Sequence, residues 1–505
     1  MRTWIADNAR RHGHKIFVHS IDQNKAITYA QLYEITNRLS GFLAQSGIAP
    51  NDRVALLADN SIEHLIIYFG VMAHGATICT LHVEMNGADL ADTLGGLRPV
   101  MIFYERRVGV EQLAGNDRET WKELGEWQPN GGTGFFAALA SCDADAAPPR
   151  ADRSDDACIY FTSGTTAKPK GVVLTFGELL DNVAPTAEAF GMTPADTILD
   201  FRSYNWASAQ ILSGLAPLSK GATVAMARRF SQSRFFGWLD AYKATIAAGN
   251  PTILKMLEKR TDLPLTANLS SLRFITSSSA PLMIEDLGRF EEKFDIPIAQ
   301  GYGTSETGWI AGSNESTRRP GSVGRPLAYH KLKIVDEHGL ALAPGENGFV
   351  ELGNDPDRAY RYLAADGAIG IAANGRLRTG DLGYLDKDGY LFITGREKDL
   401  IIRGGVNIAP AEIDAVLLQR KDVSEAATIG VPDEIYGEEL VSYVVVDRGA
   451  TVGEDELLAH CCDHLPPFKV PKRIVLRSSL PKTARGKVDR GKLAENWRQA
   501  GEELS

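Results

Sequence analysis

Four stretches of this chain hold residue types that could do chemistry together. The first is Thr162-Ser163-Gly164-Thr165-Thr166-Ala167-Lys168-Pro169-Lys170-Gly171, directly after a β-rich run at 158–161. Glycine and small hydroxyl residues let successive backbone N–H groups turn towards one anion, and Lys170 adds charge. That makes a cradle for polyphosphate, with a spacing unlike the GxxxxGK[ST] loop. The second is Gln300-Gly301-Tyr302-Gly303-Thr304-Ser305-Glu306-Thr307. A hydroxyl beside a carboxylate suits an α-phosphate oxygen and its Mg²⁺, an ion that takes a few hard oxygens and keeps waters. The third comprises Thr379-Gly380-Asp381, Gly395-Arg396-Glu397-Lys398-Asp399 and Gly404-Gly405-Val406-Asn407. The fourth, Pro481-Lys482-Thr483-Ala484-Arg485-Gly486-Lys487-Val488-Asp489-Arg490, lies close to the C-terminus. Taken singly, Asp381 reads equally as a turn residue and Lys487 as a solvated lysine.

The elements that must position these stretches follow from the hydrophobic pattern. Strand-like runs at 53–58, 76–81, 158–161, 222–226, 245–248, 274–276 and 297–299 alternate with helix-length segments at 62–73, from 177, from 232 and at 284–294. Such alternation predicts an α/β fold of open, mainly parallel sheets covered by helices. Residues 129–156, with GGTG and an Ala/Asp/Pro-rich tract, read as a surface loop region. After Pro320 closely spaced strands (331–335, 348–352) suggest a β-barrel-like part. From about residue 397 a small α+β unit follows: strand 400–403, a helix opened by Pro410, strands near 426–430 and 441–446, helix 455–464 and strand 473–476. The expected division is a large domain, 1–397, and a small one, 398–505.

At 505 residues, more than one core is expected. The 54 basic and 64 acidic residues leave a net charge of −10, which argues against general nucleic-acid or anionic-membrane binding. Five cysteines without CxxC or Cys/His metal spacing read as reduced thiols. Residues 1–13 lack the apolar core of a signal peptide, and 65–81 is too short and interrupted to span a bilayer. A cytoplasmic protein that is not integral to a membrane is expected; a homodimer stays open.

In this order, the four stretches resemble the adenylate-forming superfamily: acyl-CoA synthetases, firefly luciferase and the adenylation domains of peptide synthetases. The resemblance covers nearly the whole chain, from 27–32 (ITYAQL) and 52–61 (DRVALLADNS) to the Lys487 motif. It implies an ATP-dependent ligase that forms an acyl-adenylate from a small carboxylic acid and passes the acyl group to coenzyme A. By the same resemblance Thr162, Ser163, Gly164, Thr165, Thr166 and Lys170 hold the β- and γ-phosphates. Ser305 meets the α-phosphate with Gly303 beside it, Glu306 the Mg²⁺, and Tyr302 stacks near adenine. Ser278, Ser279 and Ala280 line the adenine and acyl pockets. Asp381 takes the ribose hydroxyls, assisted by Arg396. Lys487 bridges substrate carboxylate and α-phosphate, Gly404 and Gly405 wall the pantetheine tunnel, and Lys398 is the hinge of the small domain. Asn205, Trp206, Gly301 and Trp309 are the acyl-pocket candidates.

The chain departs from the family pattern in three places. Ala167 stands where the phosphate loop usually has glycine. Asn205 stands where many acyl-CoA synthetases have the histidine of a Pro-x-x-His stretch. Ser277-Ser278-Ser279-Ala280 is more hydroxylated than the usual glycine-rich segment. Residues 201–220 contain no Asp or Glu to hold an amino-acid ammonium, although Asp200 stands just outside that window. No carrier domain follows Lys487, which favours free CoA over the alternative, loading of a separate acyl carrier protein. The aromatic residues Phe201, Tyr204, Trp206 and Trp309 point to an aromatic or short-to-medium acid.

Overall fold

A computed structural model describes residues 1–110, 119–142, 144, 151–162, 170–260, 267–353, 359–364, 366–447, 449–483 and 488–500. Among these residues the architecture is mixed α/β, with two large sheets, two smaller ones and a two-stranded ribbon of Trp127–Gln128 and Gly131–Gly132. Arg53–Leu57 shows why the cores are parallel. After the half-buried Arg53 it is an unbroken apolar run, Val54 to Leu57, buried as a strand covered on both faces must be, and the strand pairs in parallel with Thr77–Thr80 and Met101–Tyr104. The connecting helix Ile62–His74 is buried on nearly all sides. Ser61 caps its first turn by accepting from the His64 N–H, and Gly75 ends it in the left-handed conformation at φ 106°.

The first sheet has nine strands and a parallel centre: Ile298–Thr304, Phe274–Ser277, Ile246–Ala247, Thr197–Asp200, Thr223–Met226 and Ile16–Ser20 lie side by side. The chain leaves the C-terminal ends of three of these strands through Phe201 to Trp206, Ser278 to Ala280 and Ser305 to Thr307. Crevices beyond the carboxyl ends of parallel strands are where open α/β sheets bind ligands. The second sheet has eight strands. At its antiparallel end Asp156–Thr162 and Lys170–Thr175 form a hairpin with Thr162 opposite Lys170. Lys170–Thr175 then pairs with Ala359–Leu363, setting Val172 opposite Tyr362.

The strands Lys333–Val335, Gly348–Gly353, Arg376–Leu385 and Leu391–Arg396 form a four-stranded antiparallel sheet. Beyond it, Val406–Ile408, Ile401–Arg403, Gly437–Val446 and Val423–Asp433 make another sheet, joined in parallel by Arg473–Leu476. The two hydrophobic clusters on this last sheet draw only on residues from Ile401 onwards.

The region 129–156 differs from the surface loop expected of it. Gly134–Leu139 is a short helix whose Phe135, Phe136 and Leu139 are buried. Phe135 lies 5.1 Å from Phe42 and 5.0 Å from Phe103, ring centre to ring centre. Three large apolar residues within one turn outweigh the glycines around them, since burying each is worth about 1.5–3 kcal/mol.

Candidate active site

The best-defined group is built around Asp381, which is 3% exposed. Asp381 and Arg396 stand directly opposite each other on the antiparallel strands Arg376–Leu385 and Leu391–Arg396. The Arg396 Nε is 3.0 Å from Asp381 Oδ1. Tyr302, near the end of Ile298–Thr304, donates its hydroxyl to Asp381 Oδ2 at 2.5 Å. The Thr379 hydroxyl accepts from the Asp381 N–H at 3.1 Å. Burial, then the neighbouring Asp381 charge, pushes the Tyr302 phenol well above its ordinary pKa, so it remains a donor. The carboxylate is held from two sides in one orientation, a geometry suited to accepting paired hydroxyls.

Ser305 and Glu306 occupy the turn between Ile298–Thr304 and Gly308–Gly312, and both are half-buried. The Thr304 and Thr307 hydroxyls, 3.0 Å apart, hydrogen-bond across that turn. Tyr362 donates to Glu306 Oε1 at 3.2 Å, and the Lys170 ammonium lies 5.7 Å from the centre of the same ring. The Lys170–Thr175 side of the hairpin and the turn that carries Glu306 therefore meet at Tyr362. Burial and the adjacent Glu306 charge raise the Tyr362 phenol above its usual value.

The acyl candidates lie deeper. Trp309 is 2% exposed. Its backbone is pinned by Asn182, which donates to its carbonyl at 2.6 Å and accepts from its N–H at 3.1 Å, and by the His330 Nε2–H, 2.7 Å from the carbonyl. Gly301 sits under the indole. Asn205 is buried and donates to the Ala58 carbonyl at 3.3 Å. Trp206 is half-buried and stacks on His82, with centroids 6.3 Å apart and planes 22° from parallel. Asp200 is fully buried in a bidentate pair with Arg202, with Nε and Nη2 contacts of 3.1 and 2.7 Å. It is thus committed within the core and unavailable to a substrate ammonium. Ser278 is buried, whereas Ser279 and Ala280 are exposed. Ser279 adopts φ 73°, a left-handed conformation that glycine enters more readily.

A family model described as AMP-binding enzyme matches residues 5–353, and one described as AMP-binding enzyme C-terminal domain matches residues 412–487. The chain belongs to the AMP-binding enzyme family. It is 32% identical over 482 residues to oxalate–CoA ligase of Arabidopsis thaliana, covering 93% of each chain. It is 33% identical to sulfoacetate–CoA ligase of Cupriavidus necator, covering 97% of this chain and 96% of the other. The crystal structure of ATP-bound MatB from Rhodopseudomonas palustris superposes with a TM-score of 0.86 at 26% identity, covering 99% of this chain and 100% of that one.

In this AMP-binding enzyme, Gly404 and Gly405 form the two-residue turn of the hairpin Ile401–Arg403/Val406–Ile408. Their φ values, 57° and 83°, both lie in the left-handed region, so glycine is required by the turn itself. A Cβ on Gly405 would meet nothing within 4 Å, and Ile402 and Val406 beside the turn are exposed. Lys398 lies in the single turn Glu397–Asp399 between the last two sheets. Ser163, Gly164, Thr165, Thr166 and Lys487 lie outside the described residues, as do the side chain of Thr162 and the departure at Ala167.

Glu306 fits a hard-cation role. Among the described residues no group of three or more His, Cys, Asp or Glu converges as a metal cage. A single carboxylate beside a phosphate site suits Mg²⁺, which binds through one or two carboxylates with phosphate oxygens and water.

Tyr362 and Asn182 went unrecognised in the sequence. Asn182 had a readable signal, since it shares the apolar face of the helix Phe176–Ala189 with Leu179, Val183 and Thr186. A polar residue on a buried face must find partners. Tyr362 had none, because its role depends on strand pairing across residues distant in sequence.

Proposed function

We propose that this chain is an ATP-dependent carboxylic acid:CoA ligase, forming acyl-AMP and pyrophosphate and then acyl-CoA and AMP. The observation that carries the reading is the buried Asp381 clamped by Tyr302 and Arg396, beside Ser305 and Glu306, in a chain whose full-length relatives are CoA ligases. The acid is drawn from the aromatic or short-to-medium range suggested by the aromatic residues of the pocket.

A carboxylate oxygen of the acid attacks the α-phosphorus in line, and pyrophosphate leaves. Both reactants are anions, so positioning and charge neutralisation carry the rate. Asp381 accepts the ribose hydroxyls, and Tyr302 and Arg396 keep its two oxygens oriented. Ser305 donates to the α-phosphate, Lys170 and the loop before it hold the outer phosphates, and Lys487 neutralises charge between acid and α-phosphate. Glu306, oriented by Tyr362, would hold Mg²⁺, which when bound neutralises phosphate charge. The CoA thiolate then attacks the acyl carbon, and AMP departs.

The second step uses residues 398–505 as a mobile domain on the body formed by 1–397, turning about Lys398. Two features support this division. The last two hydrophobic clusters begin only at Ile401, and the Gly404–Gly405 turn is exposed. A surface that acts only after rotation has no covering while adenylation proceeds. Among the described residues no helix is long and apolar enough to cross a membrane.

The test is acid-dependent exchange of labelled pyrophosphate into ATP, followed by acid-dependent AMP release with CoA. Exchange without any CoA-stimulated AMP release would reassign the acyl acceptor to a carrier protein. No exchange with any acid would sink the ligase reading.

A further inference from the structure

The chain on either side of Lys487 is fastened to one strand of the small C-terminal unit, Val423–Asp433. Before it, Lys482 forms an ion pair with Glu425 of that strand at 2.8 Å. Lys482 and Val488 face each other in an isolated antiparallel bridge, and the Asp489 N–H donates to the Pro481 carbonyl at 2.9 Å. Asp489 also caps the helix Arg490–Ala500, its carboxylate accepting from the Lys492 N–H at 3.0 Å. Lys487 thus stands in the chain directly before Val488, one of two paired stem residues.

The second fastening is Arg490. Among the described residues the strand Val423–Asp433 is paired only with Gly437–Val446, so its outer edge presents backbone groups without a ladder partner. At Thr428 both of those groups are met by side chains. The Thr428 N–H donates to Asp414 Oδ1 at 2.6 Å, and the Thr428 carbonyl accepts from Arg490 Nε at 3.2 Å. Arg490 Nη2 in turn pairs with Asp414 Oδ2. Carboxylate and guanidinium together stand in for a neighbouring strand. The Thr428 hydroxyl also hydrogen-bonds with that of Ser442 at 2.8 Å, which fixes the anchor on its inner side.

Asp414 is 5% exposed and lies on the helix Pro410–Leu418, whose Ile413 and Leu417 belong to one hydrophobic cluster. Arg490 opens a helix whose Leu493 and Trp497 belong to the other. The pair therefore clasps two helices across the edge of one strand. A buried ion pair adds little net stability over apolar residues of similar size, because desolvation offsets the attraction. What this one supplies is geometry, since a planar guanidinium held by two acceptors has a single orientation.

We infer that Arg490, locked by Asp414 and Thr428, is the positioning residue for Lys487: it fixes the stem next to Lys487 and so sets where that ammonium falls during adenylation. The inference rests on the acid–CoA ligase reading and on the role proposed there for Lys487. A misplacement of about 1 Å at a reacting centre costs up to roughly 10²-fold in rate. Loosening the stem should therefore be felt in adenylation, whereas thioester formation, assigned to the Gly404–Gly405 face, does not draw on Lys487.

The experiment compares the two half-reactions, using whichever of acetate, butyrate, hexanoate, benzoate and phenylacetate gives the fastest pyrophosphate exchange. Arg490→Gln should lower exchange by about tenfold or more, with single-turnover thioester formation from isolated acyl-adenylate nearly unchanged. Asp414→Asn keeps an oxygen for the Thr428 N–H but loses the charge, and should show the same split more weakly. Arg490→Lys keeps the charge without the fork and should recover only part of the exchange rate. In a Lys487→Ala background, Arg490→Gln should cause no further loss of exchange, because both changes act through one group. Equal losses in both half-reactions would mark the pair as structural and overturn the inference. So would a folded Arg490→Gln enzyme with normal exchange, or an additive loss in the double variant, and each of these leaves the ligase reading intact. If the wild type exchanges pyrophosphate with none of the five acids, the ligase reading itself falls, and the inference with it.

Discussion

The hydroxyl of Tyr362 donates to Oε1 of Glu306 across 3.2 Å, linking positions 56 residues apart in the chain. The bond joins the strand beside the hairpin of Asp156–Thr162 and Lys170–Thr175 to the turn that carries the proposed Mg²⁺ ligand. Tyr362→Phe should leave the fold intact and raise the Mg²⁺ concentration needed for half-maximal pyrophosphate exchange by roughly fivefold, about 1 kcal/mol for one hydrogen bond. Glu306→Gln should raise it further. Identical Mg²⁺ titrations for wild type and Glu306→Gln would remove Glu306 from the metal site.

Tyr302 should affect ATP binding more than turnover. It holds one oxygen of Asp381 while Arg396 holds the other. In Tyr302→Phe, the buried carboxylate keeps only its cation and can rotate. The KM for ATP should rise roughly five- to tenfold, with kcat changed less, because the proposed ribose contact would be made equally in ground and transition states. A fall in kcat at constant KM would place Tyr302 in the chemical step instead.

On the proposed roles, changes at Lys398 and Lys487 should separate the two half-reactions. Lys487→Ala should lower adenylation by roughly 10²–10³-fold, the scale for one transition-state donor. Thioester formation from isolated acyl-adenylate should be largely spared. Lys398→Pro fixes φ near −65° at the proposed hinge and should do the reverse, sparing pyrophosphate exchange and impairing thioester formation. A folded Lys398→Pro enzyme with normal single-turnover thioester formation would move the hinge elsewhere.

His64 should make stability fall in mild acid. Its ring is fully buried, its Nδ1–H donates to the Ala58 carbonyl at 3.1 Å, and burial lowers its pKa to about 4. The unfolded chain, with an ordinary histidine near pH 6.5, binds the proton more readily than the native state between these values. Native stability therefore declines as pH falls from about 6.5 towards 4, by about 3 kcal/mol at most from this group. Denaturant unfolding of wild type and His64→Gln at pH 7 and pH 4.5 tests it. The variant should lose distinctly less stability across that interval, and parallel declines would refute the assignment.

The α/β class, the small C-terminal unit and the ordered motifs around Tyr302, Glu306, Asp381 and Lys487 were legible in the residues alone. Each is a local property. The periodicity of Ile284–Phe294, the first-turn proline of Pro410–Leu418 and the buried run Arg53–Leu57 are set by neighbours a few positions away. The same holds for the two glycines of the 404–405 turn, whose conformation follows from the hairpin they close. What the sequence left open was which side chains meet across strands. Asp381 faces Arg396 because of antiparallel register, and a slip of one residue would turn either away. Tyr362 reaches Glu306, and Trp309 is seated on Gly301, because sheet order brings distant segments together. Asp200 is consumed by Arg202, an outcome that only burial of both residues decides. The types of chemistry are written locally, whereas which side chains line the proposed acyl site depends on long-range packing.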